Sequence, residues 1–252
     1  MEKINDLNIY LQRMDKTLFD KCWWIDKIPE EIDTIVDFGC ATGNLYHMVS
    51  LLAGNKYKYI GIDDSAEMRA NFNAEGEVYA SLEEALPHFN PSSSILILNS
   101  VLHEIFSYVT NPESFIEKII NIKFQYIAIR DMCISRKPFL DFIFYSYYDN
   151  VIKSSNWCKQ WLEFSSHSQH LDGPNLMKEF LLKYWYSENW ERECKEKYLH
   201  PWENYFVNNP NYQVEFENEF YIPYVRNKIH EDFGFWYDEP THKKMLLHLT
   251  KN

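Results

Sequence analysis

The stretch Ile35-Val36-Asp37-Phe38-Gly39-Cys40-Ala41-Thr42-Gly43 limits what this chain can fold into more than any other. An apolar run is broken by two glycines and resumes with apolar residues at Leu45, Met48, Val49 and Leu52, which reads as a buried strand, a tight turn and a helix. Gly39 and Gly43 stand where a side chain would block close approach of a ligand to the backbone. The dinucleotide fingerprint G-x-G-x-x-G and the phosphate loop G-x-x-x-x-G-K-[ST] both fail here, because the spacing is G-x-x-x-G, Asp37 precedes the first glycine and no lysine follows the second. An acid at that position repels a pyrophosphate but accepts hydrogen bonds from a cationic amino-acid head group.

A second strand, Lys56 to Asp63, ends in an acid about 20 residues beyond the glycine turn, the spacing at which a carboxylate reaches the hydroxyls of a ribose held over that turn. Ser65 suits the N-cap of the helix that follows, Glu67 to Phe72. Together these residues resemble the class I S-adenosylmethionine-dependent methyltransferases. The family's first motif, D-x-G-x-x-T-G, stands here as Asp37, Gly39, Thr42 and Gly43, and its second, G-[IV]-D-x-S-x-x-M, runs from Gly61 through Asp63 and Asp64 to Met68. The resemblance covers residues 35 to 132 well and the C-terminal strands loosely.

That resemblance implies a seven-stranded, mostly parallel, Rossmann-like α/β methyltransferase sheet with helices on both faces, an N-terminal helical lid and a helical insertion after the fifth strand. It implies S-adenosyl-L-methionine as cofactor and S-adenosyl-L-homocysteine as product. Asp37, Gly39 and Gly43 would hold the methionyl part and Asp63 the ribose, with Asp64 as the alternative acid. Ala80, Ser81 and Leu82 would face the adenine, and Cys40, Thr42, Met68, Asn99 and Ser100 would also bind the cofactor.

Leu7, Tyr10, Leu11, Met14, Leu18, Cys22 and Trp23 recur at helical steps, so Asp6 to Trp24 is expected to form one or two amphipathic helices, closed by Pro29. The resemblance makes Tyr10, Trp23 and Trp24 lid residues. Glu77 to Ala80 reads as a short third strand, and Ile95 to Leu98 as a central strand buried on both faces. Asn99 to Ile105 follows at the carboxyl end, where open α/β sheets place their chemistry. The H-E-x-x-H metal pattern is absent, since position 107 is Ser107, and no metal is expected. His103 is the candidate general base, its ordinary pKa suiting proton removal, with a structural role as the alternative.

Phe124 to Met132 reads as a fifth strand. Arg130 and Asp131 at its exit would either pair with each other on the surface or face the substrate together with Glu104 beside His103. No strand is evident from Ser135 to Asn211. This insertion carries an aromatic helix opened by Pro138 and another opened by Gly173-Pro174-Asn175 and running through Trp185 and Trp190. Placed after the fifth strand, it is expected over the carboxyl end of the sheet, with His167, His170 and Tyr186 as acceptor contacts. Tyr212 to Phe220 and Lys243 to Leu249 read as sixth and seventh strands forming an antiparallel hairpin.

The 252 residues suit a single methyltransferase domain: N-terminal helices (1–30), cofactor-binding core (31–134), helical insertion (135–211) and C-terminal strands (212–252). A net charge of -12 argues against a nucleic-acid surface, which needs an excess of lysine and arginine. Five cysteines without a C-x-x-C pair suggest neither zinc nor a disulfide framework. No signal core or membrane-length apolar run is present, so a cytoplasmic protein is expected. The expected activity is methyl transfer to the oxygen, nitrogen or carbon of a small-molecule acceptor. The alternatives are a tRNA or other nucleic-acid methyltransferase, and a methyltransferase-fold protein that binds a partner without catalysis.

Overall fold

The computed structural model describes Gln12 and residues 16–134, 141–168 and 171–250. The chain forms two compact units, one comprising 1–131, 202–217 and 244–252 and the other 132–201 and 218–243. One seven-stranded sheet has the order β3-β2-β1-β4-β5-β7-β6, with β1 Thr34–Phe38, β2 Lys58–Ile62, β3 Glu77–Tyr79, β4 Ser94–Asn99, β5 Tyr126–Met132, β6 Tyr212–Phe220 and β7 His242–Leu249. The first five strands pair in parallel. The last two are reversed relative to their neighbours in the order: Leu249 N donates to the Gln125 carbonyl and Thr250 N to the Asn211 carbonyl, so β7 runs antiparallel to both β5 and β6. The expected sheet is thus present. The two C-terminal strands are joined not by a tight turn but through residues 221–241.

Alternation along the parallel strands builds two cores. Ile95 and Ile97 of β4 pack with Ile35, Tyr59 and Ala128 on one face. Leu96 and Leu98 pack with Val36, Ile60 and Ile129 on the other. All of β4 is buried, and its middle, Ile95 to Leu98, packs on both faces of the sheet, which is why it reads as a continuous apolar run. The first face is covered by the short helix α1, Leu18–Lys21, with the Cys22 and Trp24 that follow it, and by α2, Asn44–Ala53, through Leu45 and Val49.

Ser65 caps α3, Ala66–Ala70, by accepting from Met68 N, and Ser81 caps α4, Leu82–Ala85, by accepting from Glu84 N. The second face is covered by α4, α5 Leu102–Tyr108 and α6 Pro112–Ile122. Pro112 at the first turn and Asn111 as cap start α6.

The second unit is helical: α7 Asp141–Lys153, α8 Cys158–His167, α9 Gly173–Lys183 and α10 Trp190–Lys195. The short α11, Glu203–Val207, returns the chain to the first unit, and α12 Pro223–Phe233 belongs again to the second. Pro138 and His170 lie outside the described residues. Of the aromatic helix after Pro138, Tyr147 is buried while Tyr145 and Tyr148 are exposed; Tyr147, Trp161, Phe164, Phe180 and Tyr184 pack together with Phe233 and Phe235. Two points differ from the sequence reading. The helix from Gly173 stops at Lys183 instead of continuing through Trp190, and α12 is a helix that the apolar pattern did not mark.

At the end of α9, Lys183 and Glu179 turn inward where the chain returns. The Lys183 ammonium donates to Glu179 at 2.7 Å and to the Glu196 carbonyl, while Glu179 Oε2 accepts from Leu199 N. Arg192 pairs with Glu196 at 2.7 Å. Glu193, buried and close to Glu196, has its carboxyl pushed up to about 7.

Candidate functional site

The register of the parallel strands aligns their carboxyl ends. Phe38 is paired with Ile62 and Leu98, and Asn99 with Arg130, so Gly39 and Asp63, which follow their strands, come into one row with Asn99 at the end of β4. Along that row lies a cavity of about 290 Å³, lined among others by Gly39, Ala41, Asp63, Asp64, Met68, Ser81, Leu82, Asn99, Ser100 and Glu104. A smaller one of about 40 Å³ is lined by Leu18, Lys21, Asp37, Gly39, Cys40, Ala41, Thr42, Asn44, Leu45 and Asn99. Gly39, Ala41 and Asn99 border both. All of these residues belong to the first unit.

The glycine turn is held by Asp63. Its Oδ2 accepts from Ala41 N and its Oδ1 from Ser65 N, both at 2.9 Å, so one carboxylate pins the turn and the start of the next helix. Burial nevertheless raises its pKa. Gly39 has φ +77, and a Cβ there would meet Val101 Cγ2 at 2.9 Å. Gly43, φ +84, borders neither cavity; a Cβ there would meet the Phe72 ring at 2.7 Å and Ala74 at 3.0 Å. The two glycines therefore answer different constraints, the first beside the cavity wall and the second against core packing.

Asp37 is buried and accepts from the Tyr59 hydroxyl. Burial outweighs both that bond and nearby Lys21, and its pKa is pushed up to about 6. Cys40, buried close to Asp37 and Asp63, has its thiol pushed up, which disfavours the thiolate. Asn99 is 7% exposed; its amide donates to the Lys21 carbonyl at 3.3 Å, and its Oδ1 has no hydrogen-bond partner. A buried, unpaired acceptor on the rim of two cavities points to a donor on a ligand.

Several residues singled out in the sequence lie elsewhere. His103 is buried and borders neither cavity. Its Nδ1 lies 3.0 Å from Asp131 Oδ1, while Asp131 Oδ2 accepts from Leu102 N at 2.7 Å and His103 N at 3.4 Å. Asp131, fully buried, thus serves the first turn of α5. Arg130 does not pair with Asp131 on a surface; alternation along β5 separates them, and Arg130, 1% exposed, donates to Asp20 at 2.6 Å and Ser100 Oγ at 3.0 Å. Trp24 is fully buried in the core and Trp23 packs on Phe216, and neither borders either of these two cavities. Tyr10 lies outside the described residues. His167, exposed and bonded to the Glu163 carbonyl, and Tyr186 belong to the second unit.

Lys21 and Asn44 of the smaller cavity, and Phe38, Glu83, Tyr108 and Phe115 of the larger, carried no motif signal. Lys21 sits three residues after Leu18 on one helical face, but in an amphipathic segment a lysine reads as solvated.

A central parallel sheet extended on one side by β7 and β6, with β7 reversed, has the strand order of the class I methyltransferase fold. No protein-family model matches this sequence, and no curated protein matches it. Among solved structures, an S-adenosylmethionine-dependent methyltransferase from Archaeoglobus fulgidus is 14% identical, covering 96% of this chain and 100% of its own, with a TM-score of 0.48. A putative methyltransferase of Haloferax volcanii, in complex with the activator Trm112, is 14% identical over 99% of both chains, with a TM-score of 0.47. The plantazolicin methyltransferase BpumL bound to S-adenosylhomocysteine is 11% identical, covering 94% of this chain and 86% of its own, with a TM-score of 0.46.

Proposed function

We propose that this chain binds S-adenosylmethionine in the two adjoining cavities and transfers its methyl group to a small-molecule acceptor. The observation that carries this reading is the charge of the larger cavity. Its wall holds Asp63, Asp64, Glu83 and Glu104 and, among the described residues, no lysine, arginine or histidine. Such a wall repels the phosphates of a dinucleotide or nucleoside triphosphate and suits an uncharged adenosine joined to a cationic sulfonium.

The residues present fit the cofactor. Asp63 retains acceptor capacity for the ribose hydroxyls beyond its two backbone bonds. Leu82, Val101, Ile105 and Phe115 give the apolar wall an adenine needs, with Ser81 at its edge. Asp37 and Lys21 at the smaller cavity match an ammonium and a carboxylate, and the unpaired Asn99 Oδ1 offers a further acceptor. Bound there, the cofactor supplies an electrophilic methyl on sulfur.

The chain's own contribution is alignment and exclusion of water. In this reading Glu104 and Tyr108 border the acceptor end. His103 borders neither cavity; its Nδ1 faces the Asp131 carboxylate, which orients the ring, and a part in removing the acceptor proton is what its substitution tests.

Calorimetric titration with S-adenosylmethionine, S-adenosylhomocysteine, NAD and ATP tests the assignment. Binding of the first two and not of the last two is expected; binding of NAD or ATP with no response to S-adenosylhomocysteine would overturn it. Mass spectrometry of cell extracts with and without the active protein, searched for a product heavier by one methyl, would then identify the acceptor.

A further inference from the structure

The short helix α1 is tied to the sheet through a single carboxylate. Asp20 accepts from Arg130 Nε of β5 at 2.6 Å through Oδ2, and its Oδ1 pairs with the Lys244 ammonium of β7. Two cations from neighbouring strands thus converge on one residue of α1. Arg130 reaches further. Its Nη1 donates to Ser100 Oγ at 3.0 Å, and its carbonyl accepts from Ser100 N at 2.7 Å. Ser100 sits at φ +54 on the wall of the larger cavity, a conformation a serine keeps only when its surroundings fix it.

The residue after Asp20 is Lys21, 6% exposed, which lines the smaller cavity together with Asp37. One guanidinium therefore links a strained rim residue of the larger cavity to the segment that carries the lysine of the smaller one.

We propose that Asp20 is a positioning residue: its ion pairs with Arg130 and Lys244 set α1 so that Lys21 and Asp37 together recognise the zwitterionic amino-acid end of the ligand. The inference rests on the cofactor reading above and adds to it a device that separates amino-acid-bearing adenosine ligands from those lacking that end. An opposite-charge pair in one small cavity suits a carboxylate and an ammonium on one carbon, and suits neither an uncharged thioether nor a lone acid. Because Arg130 is buried, removing its partner charge leaves a cation that the fold must accommodate by moving α1 or admitting water.

The test compares the parent chain with Asp20→Asn and Asp20→Glu. Hydrogen exchange of a peptide spanning residues 16–24 reads the latch itself, and titration with S-adenosylhomocysteine and with 5′-methylthioadenosine, which lacks the amino-acid end, reads its consequence. In Asp20→Asn, exchange should quicken, and affinity for S-adenosylhomocysteine should fall about tenfold or more, the scale of one charged hydrogen bond. Affinity for 5′-methylthioadenosine should stay within about twofold, and Asp20→Glu should restore most of the lost affinity.

Unchanged exchange, or equal losses for both ligands, would overturn the proposal. If the parent bound neither ligand, the cofactor reading itself would fall, and with it the assigned ligand; the exchange comparison would still report whether Asp20 holds α1. Should Asp20→Asn fail to fold, Lys244→Met removes one arm while leaving Arg130 paired, and the same inequality between the two ligands is expected.

Discussion

At the scale of single residues, the site carries a cost that pH exposes. Asp37 keeps its proton to about pH 6 in the folded chain against 3.8 ordinarily. The folded state therefore binds the extra proton, and stability falls as pH rises from about 4 to 6. Asn at 37 would still accept from the Tyr59 hydroxyl without bringing a charge into the core. Asp37→Asn is thus expected to stabilise the unliganded protein above pH 6 by on the order of 1–3 kcal/mol. Melting curves should converge near pH 4, while S-adenosylhomocysteine affinity drops at neutral pH; a variant less stable than the parent at pH 7.5 would contradict this.

His103 poses the other residue-level question, because it is oriented by Asp131 yet borders neither cavity. If it takes the acceptor proton, His103→Ala lowers turnover by ~10²–10⁴ and removes the acid limb of the pH–rate profile, with cofactor affinity nearly unchanged. A loss under tenfold with that limb intact would leave His103 as the anchor of α5 to β5.

At the scale of elements, the glycine turn separates into two parts. Alanine at 39 must push Val101, which lines the larger cavity, whereas alanine at 43 must push Phe72, which does not. Both positions have positive φ, so each substitution should cost about 1–3 kcal/mol of stability. Only Gly39→Ala should also lose the thermal stabilisation given by S-adenosylhomocysteine. Equal ligand-induced shifts in the two variants would mean that the wall at Val101 does not touch the ligand.

The same scale shows what was legible beforehand. The strand β4, the turn and the end of β2 at Asp63 were readable because a strand buried on both faces, a positive-φ position and an apolar strand ending in an acid each leave a distinct residue pattern. Lys21 was not, because helical periodicity says which side of a segment is apolar and not which partner it meets. Arg130 was misjudged for a related reason: a charged residue at a strand exit reads as exposed, whereas here Asp20 and Ser100 accept from it where it is buried. Tyr108 and Phe115 look like core residues in any sequence, since a ligand wall and a packing face draw on the same side chains.

At the scale of the whole molecule, the net charge of -12 and the acidic cavity favour a small acceptor over RNA or DNA. Salt-dependent retention should be absent: a gel-shift titration with tRNA at ~50 mM salt is expected to show no complex below ~10 μM protein, and tight, salt-sensitive binding would move the assignment to nucleic acid. Among the described residues no helix is long and apolar enough to cross a membrane.

The strand order has one further consequence, which concerns synthesis rather than chemistry. β7 sits inside the sheet, with β5 on one side and β6 on the other, although it follows both in sequence. On the ribosome, β5 therefore emerges as an open edge, and β6 has no neighbour to join until residues up to Leu249 have left the exit tunnel. The nascent chain must hold a hydrophobic strand edge unpaired while the whole helical second unit is being made, which is when an unpaired edge is most prone to wrong pairing.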